Sequence, residues 1–334
     1  MSLPFSTSPS PRLPPPQGLP TVRLHALSGG HFSLPEHQFV TPSSPTARKT
    51  VPSLCFLIRH RDSCTGKNTN IVFDLGLRRD VARYSEPIRR HVATRQPLST
   101  DPDVTKSLLQ AGLTSNDIDY VIYSHVHWDH VGEPRDFARS IFIVGHGSLD
   151  ILAGKSASSL KGGHSFFEAD LLEPFRTVEL SDPNDPTITT PNSAALPSSG
   201  HLNLHGPWHT IDGSPPVLDT FGDSSLYIVD APGHLPGHIN LLARVEDHHH
   251  EGQSRWVYLA GDACHDRRIL RGEKEIGEWE DASGHRCCIH ADRKKAEETI
   301  DRIMTLEQNG VEVIFAHDVE WEASEGNRGR LFGV

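Results

Sequence analysis

With 334 residues, the chain can bury a substantial core, as one large domain or two ordinary ones. Its 32 basic and 43 acidic residues give a formal net charge of −11 with no basic stretch of useful length, which argues against nucleic acid and against an anionic membrane surface. Five cysteines without a repeating spacing do not form a disulfide framework, and no apolar run approaches the length of a bilayer span, so a cytoplasmic protein is expected. Histidine, at 22 residues, is the one compositional sign of metal chemistry.

Residues 1–20 contain Pro4, Pro9, Pro11, Pro14, Pro15, Pro16 and Pro20 among serines, a flexible lead-in that denies helix and ladder hydrogen bonds alike. Order is expected from residue 21, where Val22, Leu24 and Ala26 alternate with Arg23 and His25 as in a half-buried strand. Strand patterns return at 54–58 and 70–75, the second running through Asp74 to Gly76. A short helix over 103–111 stops at Gly112, and the β-branched stretch 118–123 then reads as a buried strand. Another follows at 141–144 and completes a first β-rich half.

From about 150 to 215 periodicity is lost among prolines, serines and acids, and the stretch carries His164, His201, His205, Trp208 and His209. Two readings stand for this insertion: a solvated loop with incidental histidines, or a cap whose aromatic residues shape a pocket. Strands are expected again at 225–230, 239–245, 256–260 and 311–316, with Asp292 capping a helix that Asn309 and Gly310 end. His248, His249 and His250 fall on the tip of a hairpin loop, where they are read as exposed and without function.

The chemistry is concentrated at strand ends. The strand over 118–123 runs into Ser124-His125-Val126-His127-Trp128-Asp129-His130, which packs three imidazoles and a carboxylate into six residues. Residues i and i+2 of an extended chain point the same way, so His125 and His127 can grip one cation while Asp129 and His130 turn toward a second. Three later strands end at His234, at Asp262 and at His317. Four such endings are hard to explain as packing, because a site on a rigid β core is built in this way.

These motifs resemble the metallo-β-lactamase superfamily: HVHWDH fits its HxHxDH signature, and APGHLPGH, GDA and AHD follow in order. Among its branches the pattern is most similar to the N-acyl homoserine lactonase-like one, which includes fungal lactam-opening relatives. The resemblance spans residues 21–334 apart from the insertion, and implies an α/β fold, an αββα sandwich with a dinuclear metal site at the sheet edge. Carried over to this sequence, His125, His127 and His234 would hold one zinc, Asp129, His130 and His317 the other, and Asp262 would bridge the two Zn2+ ions. Imidazole and carboxylate donors without thiolate suit zinc in an open catalytic site, with iron or manganese as alternatives.

The implied activity is opening of a lactone, a lactam or a benzoxazolinone-type cyclic carbamate by a metal-bridging hydroxide, in xenobiotic or signal degradation. Asp129 would orient the hydroxide and pass its proton to the leaving group. His265 stands where the bacterial lactonases place a tyrosine, and is read either as a catalytic residue toward the carbonyl or leaving amine, or as a surface or supporting histidine. His238 is read as a support for the ligands, Asp74 as the acceptor for a ligand imidazole, and Cys264 as a small buried residue. Thioester hydrolysis is the enzymatic alternative and would need a basic anchor, for which Arg78-Arg79 and Arg267-Arg268 are the candidates. A metal-binding sensor without turnover is the alternative outside enzymes. Oligomeric state is not legible.

Overall fold

The computed structural model describes residues 19–155, 166–185, 202–204, 206–211, 214–246, 253–281 and 284–332. The lead-in up to residue 18, His164, His201, His205, His248, His249 and His250 lie outside the described residues.

Two mixed sheets form the centre. The first has seven strands: β1 (Arg23–Pro35), β3 (Arg48–Arg61), β4 (Asn68–Phe73), β5 (Tyr120–Ile122), β6 (Ile141–Val144), β7 (Thr177–Glu179) and β16 (Leu331–Phe332), in the order β16-β1-β3-β4-β5-β6-β7. The second holds β8 (Val217–Asp219), β9 (Leu226–Asp230), β10 (Ile239–Glu246), β11 (Ser254–Leu259) and β15 (Glu312–Ile314), in the order β15-β11-β10-β9-β8. Short ribbons complete the chain: β2 (Val40–Thr41) pairs with β12 (Glu275–Ile276), and β13 (Glu278–Glu280) with β14 (Arg286–Cys288).

Period-two alternation sorts the side chains into layers. Ile71 and Phe73 of β4 and Ile141 and Ile143 of β6 meet Leu226, Ile228, Leu241 and Leu259 in the core between the sheets. Val72, Val121, Phe142 and Val144 face the other way, against Val104 and Leu108 of α2 (Val104–Gln110) and Ile151 of α3 (Ser148–Leu152). On the far side Val229, Leu242 and Tyr258 receive Ala296, Ile300 and Ile303 of α5 (Arg293–Gln308). The result is helix, sheet, sheet, helix, the αββα order expected. Asp292 accepts the Lys295 N–H, the cap the sequence announces, and Asp103 caps α2 in the same way through the Lys106 N–H.

Four helices went unread in the sequence: α1 (Glu86–Ala93), α3, α4 (Arg267–Leu270) and α6 (Val319–Ala323). The stretch 150–215 also differs from expectation, because β7 lies within it and pairs in parallel with β6 as the edge of the first sheet. Three residues are too few for a period to show. Where β1 bulges between Ser28 and His31, Gly29 lies against Gly76: a Cβ on Gly76 would sit 2.5 Å from the Gly29 Cα. That contact draws the end of β4, with Asp74, toward the strand ends that carry the histidines.

Candidate metal centre

Each site residue leaves a strand and is then tied to a neighbouring loop. The chain leaving β5 is held by the Ile239 N–H on the Ser124 carbonyl at 2.8 Å, and the chain leaving β11 by the Ala316 N–H on the Gly261 carbonyl at 3.0 Å. Gly261 has φ +46°, and a Cβ there would meet Ser124 at 2.8 Å and the His238 ring at 3.0 Å, so the GDA motif needs its glycine. Ser53 Oγ donates to the Asp129 carbonyl at 2.7 Å and fixes the turn inside HVHWDH.

Three imidazole nitrogens converge in a first group. His125 Nε2 lies 2.8 Å from His127 Nδ1, His127 Nδ1 lies 3.0 Å from His234 Nε2, and His234 Nε2 lies 3.2 Å from His125 Nε2. Each ring nitrogen has one in-plane direction for a lone pair or a proton, so hydrogen bonds cannot satisfy all sides of this triangle. A cation at its centre can, since ~2.0–2.1 Å bonds in a tetrahedron put ligand nitrogens roughly 3.3 Å apart.

Asp129, His130 and His317 form a second group within ligand range of one another. Asp262 stands between the two. Its Oδ2 faces His234 Nε2 at 3.5 Å and His125 Nε2 at 3.8 Å, while its Oδ1 faces His130 Nε2 and His317 Nε2, each at 3.2 Å. The ring nitrogens aimed at this centre are selected by what holds the opposite nitrogen. His130 Nδ1 donates to Asp74 at 2.9 Å, His317 Nδ1 to the Pro52 carbonyl at 2.7 Å, and His125 Nδ1 meets Ser124 Oγ at 3.0 Å. Asp74 also accepts the Ser124 N–H and O–H, both at 2.7 Å, which is the supporting part the sequence assigns to it.

The electrostatics fit bound cations. Burial, with His130 and His127 adding to it, pushes His125 well below the ordinary imidazole value, so it is neutral with a lone pair to give. His234 is lowered by burial and by His125. In the second group burial would lower His130, yet Asp262 and Asp74 carry it well above the ordinary value, and Asp262 and Asp129 raise His317 against the same burial. Burial would raise Asp262, but His130, His317 and His265 hold it well below the carboxylate range. The carboxylates draw positive charge to the points between the groups. His130 Nε2 and Asp262 Oδ1 make no hydrogen bond of proper geometry among the described residues, as atoms reserved for an ion would.

The metallo-beta-lactamase superfamily pattern matches residues 48–309, most of the chain and all of these side chains but His317. The chain belongs to the metallo-beta-lactamase superfamily. It is similar to the cytochrome P450 monooxygenase mpaDE of Penicillium roqueforti (strain FM164), 27% identical over 94% of this chain and 36% of that one. It is also similar to the gamma-lactamase FDB1 of Fusarium pseudograminearum (strain CS3096), 27% identical over 76% of this chain and 57% of that one. The chain thus spans about a third to three fifths of the length of these curated relatives. A solved N-acyl homoserine lactone hydrolase, with the product N-hexanoyl-L-homoserine at its catalytic metal centre, superposes with a TM-score of 0.57 at 17% identity over 91% of this chain and 96% of that one. The fold is therefore the superfamily's, and the lactonase and lactamase names around it agree with a metal-dependent hydrolase.

In this superfamily member the donor groups lie at the floor of a cavity of about 340 Å³, walled by Leu34, Trp128, Phe166, Trp279 and Ile289. His265 is buried at the floor and not on the surface, with Nε2 at 3.0 Å from Asp262 Oδ2 and with no hydrogen bond on Nδ1 among the described residues. His238 is buried in the supporting position expected of it: Nδ1 donates to the Ala231 carbonyl at 3.0 Å and Nε2 accepts the Asp262 N–H. Cys264 is fully buried, as expected. From the insertion, Phe166 reaches the cavity and Phe167 stacks on His127 at 5.8 Å, while Glu168 ties this segment to Arg78 at 2.9 Å.

Two expectations need correction or addition. The arginines offered as a basic anchor are occupied by carboxylates: Arg78 by Glu168, Arg79 by Asp103 and Asp136, Arg267 by Asp318 and Glu307, Arg268 by Asp266 and Glu36. Sequence reading also missed His290, buried 5.2 Å from the His234 ring and 5.3 Å from the His265 ring, and missed Arg95 and His91 in the cavity wall. The one signal for His290 was its place two residues before the cap of α5.

Proposed function

We propose that this chain is a dizinc hydrolase that opens a cyclic ester or a cyclic amide. The observation that carries the reading is Asp262, whose two oxygens face two separate groups of buried donors at the floor of a cavity with aromatic and aliphatic residues in its wall. His125, His127 and His234 would hold one ion, Asp129, His130 and His317 the other, with Asp262 between them. Donors of nitrogen and oxygen without thiolate favour zinc. When bound, the two ions supply a water acidified to a pKa of about 7 and an electrophilic contact for the carbonyl oxygen.

The remaining steps belong to the chain itself. The apolar walls hold the ring body and exclude water from the reacting carbonyl. Asp129 is raised by burial, against the pull of His130 and His317, so its carboxyl can take a proton and hand it to the leaving oxygen or nitrogen. His265 lines the same cavity, and its imidazole would meet the carbonyl or the leaving group. Phe166 and Phe167 support a capping role for part of the insertion.

Zinc-loaded protein should carry two equivalents of metal by elemental analysis and turn over members of a panel of lactones, lactams and cyclic carbamates. Chelation should stop turnover and zinc should restore it. Two bound metals with no turnover across the panel and across thioesters would favour a sensor instead.

A further inference from the structure

Among the cations near the cavity, Arg95 stands apart. It follows α1 and is buried, at 8% exposure, in the wall that also carries Gln38, His91 and Thr94. Its Nε donates to His91 Nε2 at 3.3 Å and one Nη to Gln38 Oε1 at 3.0 Å. Both partners are neutral: glutamine is an amide, and burial, with Arg95 adding to it, pushes His91 down to about 3. Among the described residues no carboxylate oxygen comes within 4.0 Å of the Arg95 guanidinium, whereas Arg78, Arg79, Arg267 and Arg268 each have at least one.

A guanidinium carries five N–H donors in a planar fork, and only two are used here among the described residues. Burial pulls Arg95 down to about 10, with Asp129 opposing and Arg48 adding to the fall, so it is a cation at neutral pH. Nearby, Arg48 spends donors on the Ser33 hydroxyl and on the Ser33 and Thr94 carbonyls, which adds positive charge to this wall with no carboxylate paired to it among the described residues. A buried charge left without an opposite charge is costly unless something arrives to pair with it. In a chain of net charge −11 an anionic substrate needs such a local cation to enter at all.

We propose that Arg95, set by Gln38 and His91, binds a carboxylate on the substrate, so that the substrates are cyclic esters or amides whose apolar ring bears an acid group. This deepens the hydrolytic reading above and rests on it. The ring body would lie against Trp128, Phe166 and Trp279, its carbonyl toward Asp262 and Asp129 and its carboxylate toward the free edge of the fork. Arg95 is a binding residue in this scheme and takes no part in bond breaking.

The test compares two bicyclic aromatic lactones that differ only in a ring carboxylate against its primary carboxamide, with zinc-loaded wild type, Arg95→Gln and Arg95→Lys. Charge-assisted pairing predicts that wild type prefers the carboxylate by about 10–100-fold in kcat/KM, mainly through KM. Arg95→Gln should bring the ratio toward one, and Arg95→Lys, which keeps the charge but not the fork, should fall between. Equal use of both lactones by wild type overturns the proposal and leaves the hydrolytic reading standing. Failure to turn over either, with the carboxylate still binding wild type more tightly than the carboxamide by calorimetry and Arg95→Gln losing that difference, overturns the hydrolytic reading and keeps the anion site. Should Arg95→Gln not fold, the wild-type ratio and Arg95→Lys decide.

Discussion

The Asp262 backbone N–H donates to His238 Nε2 across 3.1 Å, so the carboxylate between the two donor groups is held in place by an imidazole from the loop after β9. His238 in turn anchors on the Ala231 carbonyl, which fixes its proton on Nδ1. Burial, partly opposed by Asp262, lowers it to about 4 and keeps Nε2 an acceptor at neutral pH. Supports of this kind are worth about 10–100-fold in metal affinity. His238→Ala should weaken zinc retention by that factor in chelator competition while both ions still bind at saturation. Asp262→Ala should abolish occupancy by two metals; a variant that keeps both and the full rate would remove Asp262 from its bridging position.

Asp74 makes a sharper probe of the second donor group. It sits at φ 61°, a conformation that asparagine tolerates, so Asp74→Asn keeps the backbone and removes the charge that His130 Nδ1–H meets at 2.9 Å, together with one of the two acceptor oxygens. Affinity for the ion near His130 and His317 should fall roughly 10–100-fold, and affinity at His125, His127 and His234 should not. Stepwise metal titration reads this directly. Equal weakening of both sites would mean that Asp74 acts through the fold as a whole.

Most of the centre was legible because the HVHWDH run packs its donors within six residues and the other motifs end buried strands, where an apolar run stops at a polar residue. Asp74 could be read for the same reason, since Phe73-Asp74-Leu75-Gly76 marks a strand end. The helix α5 announced itself through Asp292 at its start and Asn309 and Gly310 at its end. Arg95, His91 and His290 were hidden because each is a single polar residue on or beside a helix, brought to the cavity only by the packing of α1 and of the chain before α5. The strands β7 and β8 have three residues each, too short for an alternation to be counted.

His265 should separate amide from ester substrates. Its Nε2 is 3.0 Å from Asp262, its Nδ1 is buried with no hydrogen-bond partner among the described residues, and the residue lines the cavity. A leaving amine needs a proton more than an alkoxide does, and such general-acid assistance contributes typically about 10²–10⁴-fold. His265→Phe should therefore lower kcat on lactams at least about tenfold more than on lactones of the same ring size. Parallel losses on both, with metal content unchanged, would reduce His265 to a support for Asp262.

Acid stability should report on Glu312, at the edge strand β15. Arg330 reaches its two oxygens at 2.5 and 3.0 Å, the Trp321 indole N–H donates at 3.0 Å, and Arg255 closes the cluster from β11. Burial would raise this carboxyl, but Arg330, Trp321 and Arg255 bring it down to about 2 from the ordinary 4.5. A carboxyl lowered in the folded state stabilises the fold above its unfolded value and loses that contribution as pH falls from 4.5 through about 2. The ceiling is roughly 3 kcal/mol, at ~1.4 kcal/mol per unit. Glu312→Gln should be destabilised relative to wild type at pH 7, and the gap between their denaturation midpoints should close as the pH is taken from about 5 to about 2.5. Loss of bound metal on acidification affects both proteins alike and leaves this difference intact. A gap that stays constant over that range would mean that the Glu312 carboxylate adds no charge-dependent stability and that the cluster holds β15 by packing alone.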